Sequence, residues 1–160
     1  MEEINLSETM GALLRRRGWR MAIAESATGG LLGYWITQTP GCSDYFSGGV
    51  ITYDNSLKER FLGVSKESMI RWGAVSAQAA LDMAAGVQRA AGVEVGVGIT
   101  GIAGPGGGTL AKPVGLYFIG VAFPGERWIW RHLFTGDRDA NNQEAARVTL
   151  HHLVDYLRAQ

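Results

Sequence analysis

Apolar residues along this chain switch between two periods. Leu6, Met10, Leu13 and Leu14 recur at i, i+4, i+7 and i+8, the spacing of one helix face, and the pattern ends in the basic stretch RRRG. RMAIAE, residues 20–25, reads as a short strand. Leu31, Leu32, Trp35 and Ile36 then mark a second helix, stopped by Pro40 and Gly41. GGVITY at 48–53 reads as a strand. Asp54 or Asn55 can cap the short helix that carries Lys58 and Phe61. Ser76 is placed to cap a helix over 77–91, whose inward face holds Ala80, Leu81, Ala84 and Val87. VEVGVGIT at 93–100 predicts a strand despite its glycines, and VGLYFIGVAF at 114–123 predicts another. Pro124-Gly125 signals a tight turn into an antiparallel strand at 126–134. There Trp128, Trp130, His132 and Phe134 alternate with Arg127, Ile129, Arg131 and Leu133. A last helix over 139–157 presents Ala146, Leu150, Leu153, Val154 and Leu157. Helices between strands, then a late hairpin, predict a three-layer α/β/α sandwich. Its sheet is mixed and mostly parallel, with an antiparallel late strand at the edge.

Composition narrows this picture. At 160 residues and 46% apolar, the chain is long enough for one domain spanning 1–160 with a continuous core. Fifteen basic residues balance fifteen acidic ones, which removes the basic footprint of a nucleic-acid binder. A net charge of zero also favours self-association, though weakly. Cys42 is the single cysteine. No internal disulfide can form, and the composition suits a reducing, cytoplasmic setting. The acidic N-terminus has no apolar signal core, and no apolar run approaches membrane-spanning length.

In α/β sheets, ligands bind beyond the carboxyl ends of the strands. Four such segments carry chemistry here: Ser26–Gly30, Tyr53–Lys58, Thr100–Gly108 and Thr135–Asp139. They share one rim only if their strands run parallel, which the pattern supports better for the first three than for the last. Ser26 in AESATGG has two readings, a helix cap or a nucleophile at a strand-to-helix turn. The GxSxG elbow of hydrolases is absent. His132, His151 and His152 lie in a strand or on the last helix and are poor candidates for the base. A buried, partly neutral lysine can take that part, and Lys58 follows a strand end; a solvated lysine is the alternative. The loop GIAGPGGG lacks the GK[ST] of a phosphate-binding Walker loop. Its glycines still let successive amides point at an anion, unless the loop is only a flexible connection. Asp137 or Asp139 can cap the last helix and put Arg138 at its positive end, where it binds phosphate or pairs with an aspartate. No metal-ligand spacing is visible, and no cofactor is implied.

Six segments taken in order, AESATGG, GGVITYDNSLK, GAVS, GITGIAGPGGG, KPVG and FTGDRDANN, resemble the CinA C-terminal domain family and its nicotinamide-nucleotide amidases, the NMN deamidases. The resemblance covers nearly the whole chain. It implies an α/β/α sandwich, commonly oligomeric, and so a homo-oligomer is expected. The implied reaction is hydrolysis of nicotinamide mononucleotide to nicotinate mononucleotide and ammonia. It also implies Ser26 as nucleophile, assisted by Tyr53 and Lys58. Candidate substrate contacts are Thr28, Gly29, Gly30, Asn55, Thr100, Gly101, Gly104 and Arg138, with the amides of 28–30 as oxyanion donors. Glu25 either positions Lys58 or faces solvent. The sequence departs from the family pattern twice: Ala27 stands where a cysteine is usual, and Gly48 where an arginine is usual. Two other classes compete with this one. One is a non-catalytic nucleotide or phosphate-binding module with Ser26 only as a cap. The other is an interaction domain presenting Trp128 and Trp130.

Overall fold

The computed structural model describes all residues, Met1–Gln160. In chain order the elements are α1 (Glu2–Arg17), β1 (Met21–Glu25), α2 (Leu31–Thr37), β2 (Phe46–Ile51), α3 (Asn55–Leu62), α4 (Lys66–Trp72), α5 (Ala77–Ala91), β3 (Val95–Gly101), β4 (Leu116–Phe123), β5 (Glu126–Leu133) and α6 (Arg138–Ala159). The five strands form one sheet in the order β2-β1-β3-β4-β5. β1 pairs parallel with β2 and β3, β3 antiparallel with β4, and β4 antiparallel with β5. The expected hairpin is present. The strand running against the other four is β4, inside the sheet, and not the edge strand β5. Because β5 reverses once more, its carboxyl end returns to the rim reached by β1, β2 and β3.

Helices cover both faces. On one, α1, α2 and α6 enclose a core that includes Met10, Leu14, Ile23, Ile36, Ile119, Leu150 and Leu153. Fully burying each such side chain stabilises the fold by roughly 1.5–3 kcal/mol. On the other face, α5 lies against Ala22 and Ala24 of β1, and Met83 and Val87 join Leu62 there. The strand glycines are explained at this contact. A Cβ at Gly96 would run into the Ala84 carbonyl, and one at Gly98 into the Ala80 carbonyl. The backbone of α5 thus approaches β3 too closely for any side chain between them.

Three local details differ from the sequence expectation. β2 starts at Phe46 and ends at Ile51, so Tyr53 lies in the connection and not in the strand. The register of β1 against β2 shifts between Met21 and Ala22, and Gly48, opposite Ala22, has a φ of 123°. An arginine there would adopt a backbone that L residues rarely populate. Helix α4 has no counterpart in the apolar pattern, because none of its seven residues is buried. Its signal is the Ser65 cap, whose side chain accepts from the Ser68 amide.

Candidate active site

The carboxyl ends of β1, β3 and β5 and the connection after β2 meet around a cleft of about 270 Å³. Ser26, Tyr53, Asn55, Lys58, Thr100, Gly101, Gly104 and Arg138 all line it. The sequence left the Arg138 segment least certain; the double reversal of β4 and β5 delivers it.

Ser26 follows β1 directly, and its amide donates to the Ile99 carbonyl (3.1 Å). It does not cap α2. That helix begins after Gly30, which has a φ of 106° and gives no side-chain cap. The Ser26 hydroxyl instead meets Lys58 Nζ at 2.9 Å. Asp54, not Asn55, caps α3 by accepting from the Ser56 amide, and so sets the helix on which Lys58 turns inward. The lysine is 1% exposed. Its ammonium also donates to the carbonyls of Thr52 (2.6 Å) and Tyr53 (3.2 Å). Burial pulls its pKa from the usual 10.5 to about 8, with Asp54 opposing the shift.

These contacts orient the amine. Carbonyl oxygens only accept, so a neutral Lys58 gives its two N–H bonds to Thr52 and Tyr53. Its remaining lone pair then faces the Ser26 hydroxyl. The hydroxyl becomes the donor, as proton transfer from Ser26 to Lys58 requires.

Glu25 neither positions Lys58 nor faces solvent. It is 1% exposed, and its carboxylate accepts from Thr28 Oγ1 (2.6 Å), the Leu32 amide (3.1 Å) and the Gly33 amide (3.1 Å). The first amides of α2 are therefore occupied by this chain's own acid. The structure does not bring Thr28, Gly29 or Gly30 to the cleft wall. The Thr28 hydroxyl is taken by Glu25, the Gly29 amide donates to the Ser26 carbonyl (3.1 Å), and Gly30 faces a separate groove beside Ile51. The amides of Ala27 and Thr28 donate to no protein acceptor, and Ala27 lines the cleft. Ala27, one residue before the expected 28–30, is thus the free donor in the cleft wall. Gly48, the other departure from the family pattern, is not part of the cleft.

The opposite wall carries positive charge and free backbone donors. No Asp or Glu lines the cleft, while Lys58 and Arg138 do. The amides of Ala103, Gly104, Gly106, Gly107 and Gly108 donate to no protein acceptor. Asp137 caps α6 by accepting from the Ala140 amide (2.9 Å), which puts Arg138 at the helix start. The Arg138 guanidinium donates to the Gly104 carbonyl (2.7 Å) and to the Tyr53 hydroxyl (3.1 Å). Tyr53 is mostly exposed, and its hydroxyl touches neither Ser26 nor Lys58; its backbone carbonyl is what reaches the lysine.

Some contributors were not singled out from the sequence. Ala74 and Val75, from the GAVS segment, line the cleft. Thr100 Oγ1 donates to the Ala74 carbonyl (2.8 Å), and Lys112 Nζ reaches the Trp72 carbonyl. The glycine loop and the entry to α5 are thereby fastened together. Buried Asn141 donates to the Ala103 carbonyl and accepts from the Gly136 amide, both at 3.0 Å, which fixes two rim loops at once. The signal for Asn141 was its place one turn after the Asp137 cap. No group of three or more His, Cys, Asp or Glu side chains could hold a metal ion. No helix is long and apolar enough to cross a membrane.

Known proteins resemble the chain along nearly its whole length. Residues 3–157 match the model of the CinA C-terminal domain. A putative competence-damage inducible protein of Moorella thermoacetica is 46% identical over 159 residues, 99% of this chain and 38% of that protein. A CinA-like protein of Syntrophobacter fumaroxidans is 50% identical over 145 residues, 91% of this chain and 34% of that protein. The chain thus spans well under half the length of these curated relatives. Among solved structures, a competence-damaged protein (CinA) superfamily member from Klebsiella pneumoniae superposes with a TM-score of 0.95 at 30% identity, covering 99% of both chains. The competence/damage inducible protein CihA from Agrobacterium tumefaciens gives 0.94 at 33% identity, covering 99% of this chain and 96% of that one. Sequence and architecture agree, and the chain belongs to the CinA C-terminal domain family.

Proposed function

We propose that the cleft hydrolyses the carboxamide of nicotinamide mononucleotide, giving nicotinate mononucleotide and ammonia. The observation that carries this reading is the 2.9 Å contact between Ser26 Oγ and a buried lysine whose other hydrogen-bond partners are both carbonyls. Neutral Lys58 takes the hydroxyl proton as Ser26 Oγ bonds to the carboxamide carbon. The cationic pyridinium ring draws electrons from that carbon and favours attack. The free amide of Ala27, in the cleft wall beside Ser26, is the donor available to the negative oxygen that develops. Lys58 returns the proton to the leaving nitrogen as the C–N bond breaks, and ammonia departs. A water, deprotonated by the same amine, then cleaves the acyl ester and regenerates Ser26. The 5′-phosphate suits the glycine loop and Arg138, and anchoring it there fixes the amide for attack.

The test is ammonia release from nicotinamide mononucleotide by the purified protein. The wild type releases it. Ser26→Ala lowers the rate by at least about 10³-fold, because the nucleophile is gone. Binding of the nucleotide by the wild type without ammonia would instead identify a non-catalytic nucleotide-binding module.

A further inference from the structure

Glu25 is a buried acid next to the nucleophile that the proposed chemistry does not use. It has no basic partner: its three donors are one hydroxyl and two backbone amides. They come from the turn Ser26–Gly30 and from the helix beyond it. Thr28 lies within the turn, and Leu32 and Gly33 lie in the helix after it. One carboxylate on the last residue of β1 therefore clamps the strand, the turn and α2 together. The backbone gains a second tie where the Gly29 amide donates to the Ser26 carbonyl. Between these ties lie the unpartnered amides of Ala27 and Thr28.

We propose that Glu25 is a positioning residue: it holds the turn so that the Ala27 amide, in the cleft wall beside Ser26, serves as oxyanion donor for the Ser26 reaction. The proposal rests on the amidase reading for its substrate, but not for its geometry. A carboxylate is needed because all three partners donate, and a carboxylate only accepts. Glutamine has one acceptor oxygen and one NH₂. Whichever way the amide is turned, the NH₂ faces a donor. Aspartate is one methylene shorter and cannot span the same distance to Leu32 and Gly33. By occupying these amides, Glu25 also removes the start of α2 as a phosphate site and leaves the glycine loop and Arg138 for that purpose.

The experiment compares wild type with Glu25→Gln, Thr28→Val and Thr28→Ser in two assays. The first is ammonia release from nicotinamide mononucleotide. The second is labelling of Ser26 by a small fluorophosphonate, followed by intact-mass spectrometry, which needs no nucleotide. Glu25→Gln lowers kcat by about 10- to 100-fold with KM within about twofold, since a misplaced oxyanion donor acts on the transition state. It slows labelling by a similar factor, while the final stoichiometry stays at one label per chain. A loss of folded protein would lower the stoichiometry instead. Thr28→Val removes a single bond and gives a smaller drop in the same direction, and Thr28→Ser restores the wild-type rate. If Glu25→Gln does not fold, the threonine pair decides the matter alone. Wild-type rates of both ammonia release and labelling in Glu25→Gln, or in Thr28→Val, overturn the proposal. Labelling that slows in the variants, with no ammonia from the wild type, overturns the amidase reading and leaves the positioning role standing. A wild type that is neither active nor labelled overturns both.

Discussion

Two places in this molecule hold a pair of nitrogen or oxygen groups at nearly the same short distance, in surroundings that suppress protonation. At the cleft, Lys58 Nζ meets Ser26 Oγ at 2.9 Å. Between β5 and α6, His132 Nε2 meets His152 Nε2 at 2.8 Å. Burial lowers the basicity of both sites, Lys58 to about 8 and His152 to about 4, the latter helped by His132 and opposed by Asp155. By shifted basicity alone the histidines would look equally functional. Their neighbours say otherwise. His152 stacks on Trp130 with ring centroids 4.2 Å apart, and His132 stacks on Phe134 at 5.4 Å. The rings are packed, and each nitrogen's partner is the other histidine. Lys58 faces an open cleft, with unpartnered amides beside it and a fixed direction for its lone pair. His152 also borders a cleft, so access alone does not separate the pairs; a perturbed base serves chemistry where its lone pair meets a nucleophile, as at Ser26.

Four substitutions test this contrast, the largest effect first. Lys58→Ala lowers kcat by about 10³-fold or more, as removal of the activating base should. In the wild type the base must be neutral. The rate of ammonia release therefore rises with pH up to about 8, then levels, and the variant lacks that limb. Arg138→Ala removes a charge-assisted contact of about 1.5–3 kcal/mol, so KM rises roughly 10- to 100-fold while kcat changes less. His152→Phe leaves amidase activity at pH 8 unchanged and alters acid stability instead. The sign follows from the depressed basicity: the folded state resists protonation that the unfolded chain accepts at the usual 6.5. Wild type therefore loses stability as pH falls from 6.5 towards about 4, by on the order of 2 kcal/mol, and the variant's thermal melting flattens in that window. Asp155, His151 and His132 are the ionisable neighbours that shape this window. Tyr53→Phe has the smallest effect. The hydroxyl bonds Arg138 and not the dyad, so kcat stays within about threefold and any loss appears in KM. A large fall in kcat would restore the tyrosine to the proton path.

The sequence showed much of this arrangement, for reasons that differ by residue. Ser26 and Lys58 stood out because each follows an apolar strand run, and strand ends gather ligands whatever the details between them. Arg138 was harder to place. Its side of the sheet depends on the direction of β5, which no local pattern encodes. Glu25 was unreadable because its role lies in contacts with helix amides seven and eight residues ahead. A glutamate closing a strand otherwise looks like its solvent-facing end. Ser26 satisfied the composition of a helix cap, but two glycines with positive φ carried the turn further before α2 could start. Helix α4 leaves no mark in the apolar pattern because periodicity reports burial, and none of its residues is buried.

The double reversal through β4 and β5 carries a rule of parity. A connection with one extra strand, or one fewer, would begin the last helix at the opposite rim, with Arg138 a full strand length from Ser26. Engineering on this side of the sheet must therefore add or delete strands in twos. The Pro124-Gly125 turn lies at the rim away from the chemistry, so lengthening that turn leaves the rim at which the last helix begins unchanged.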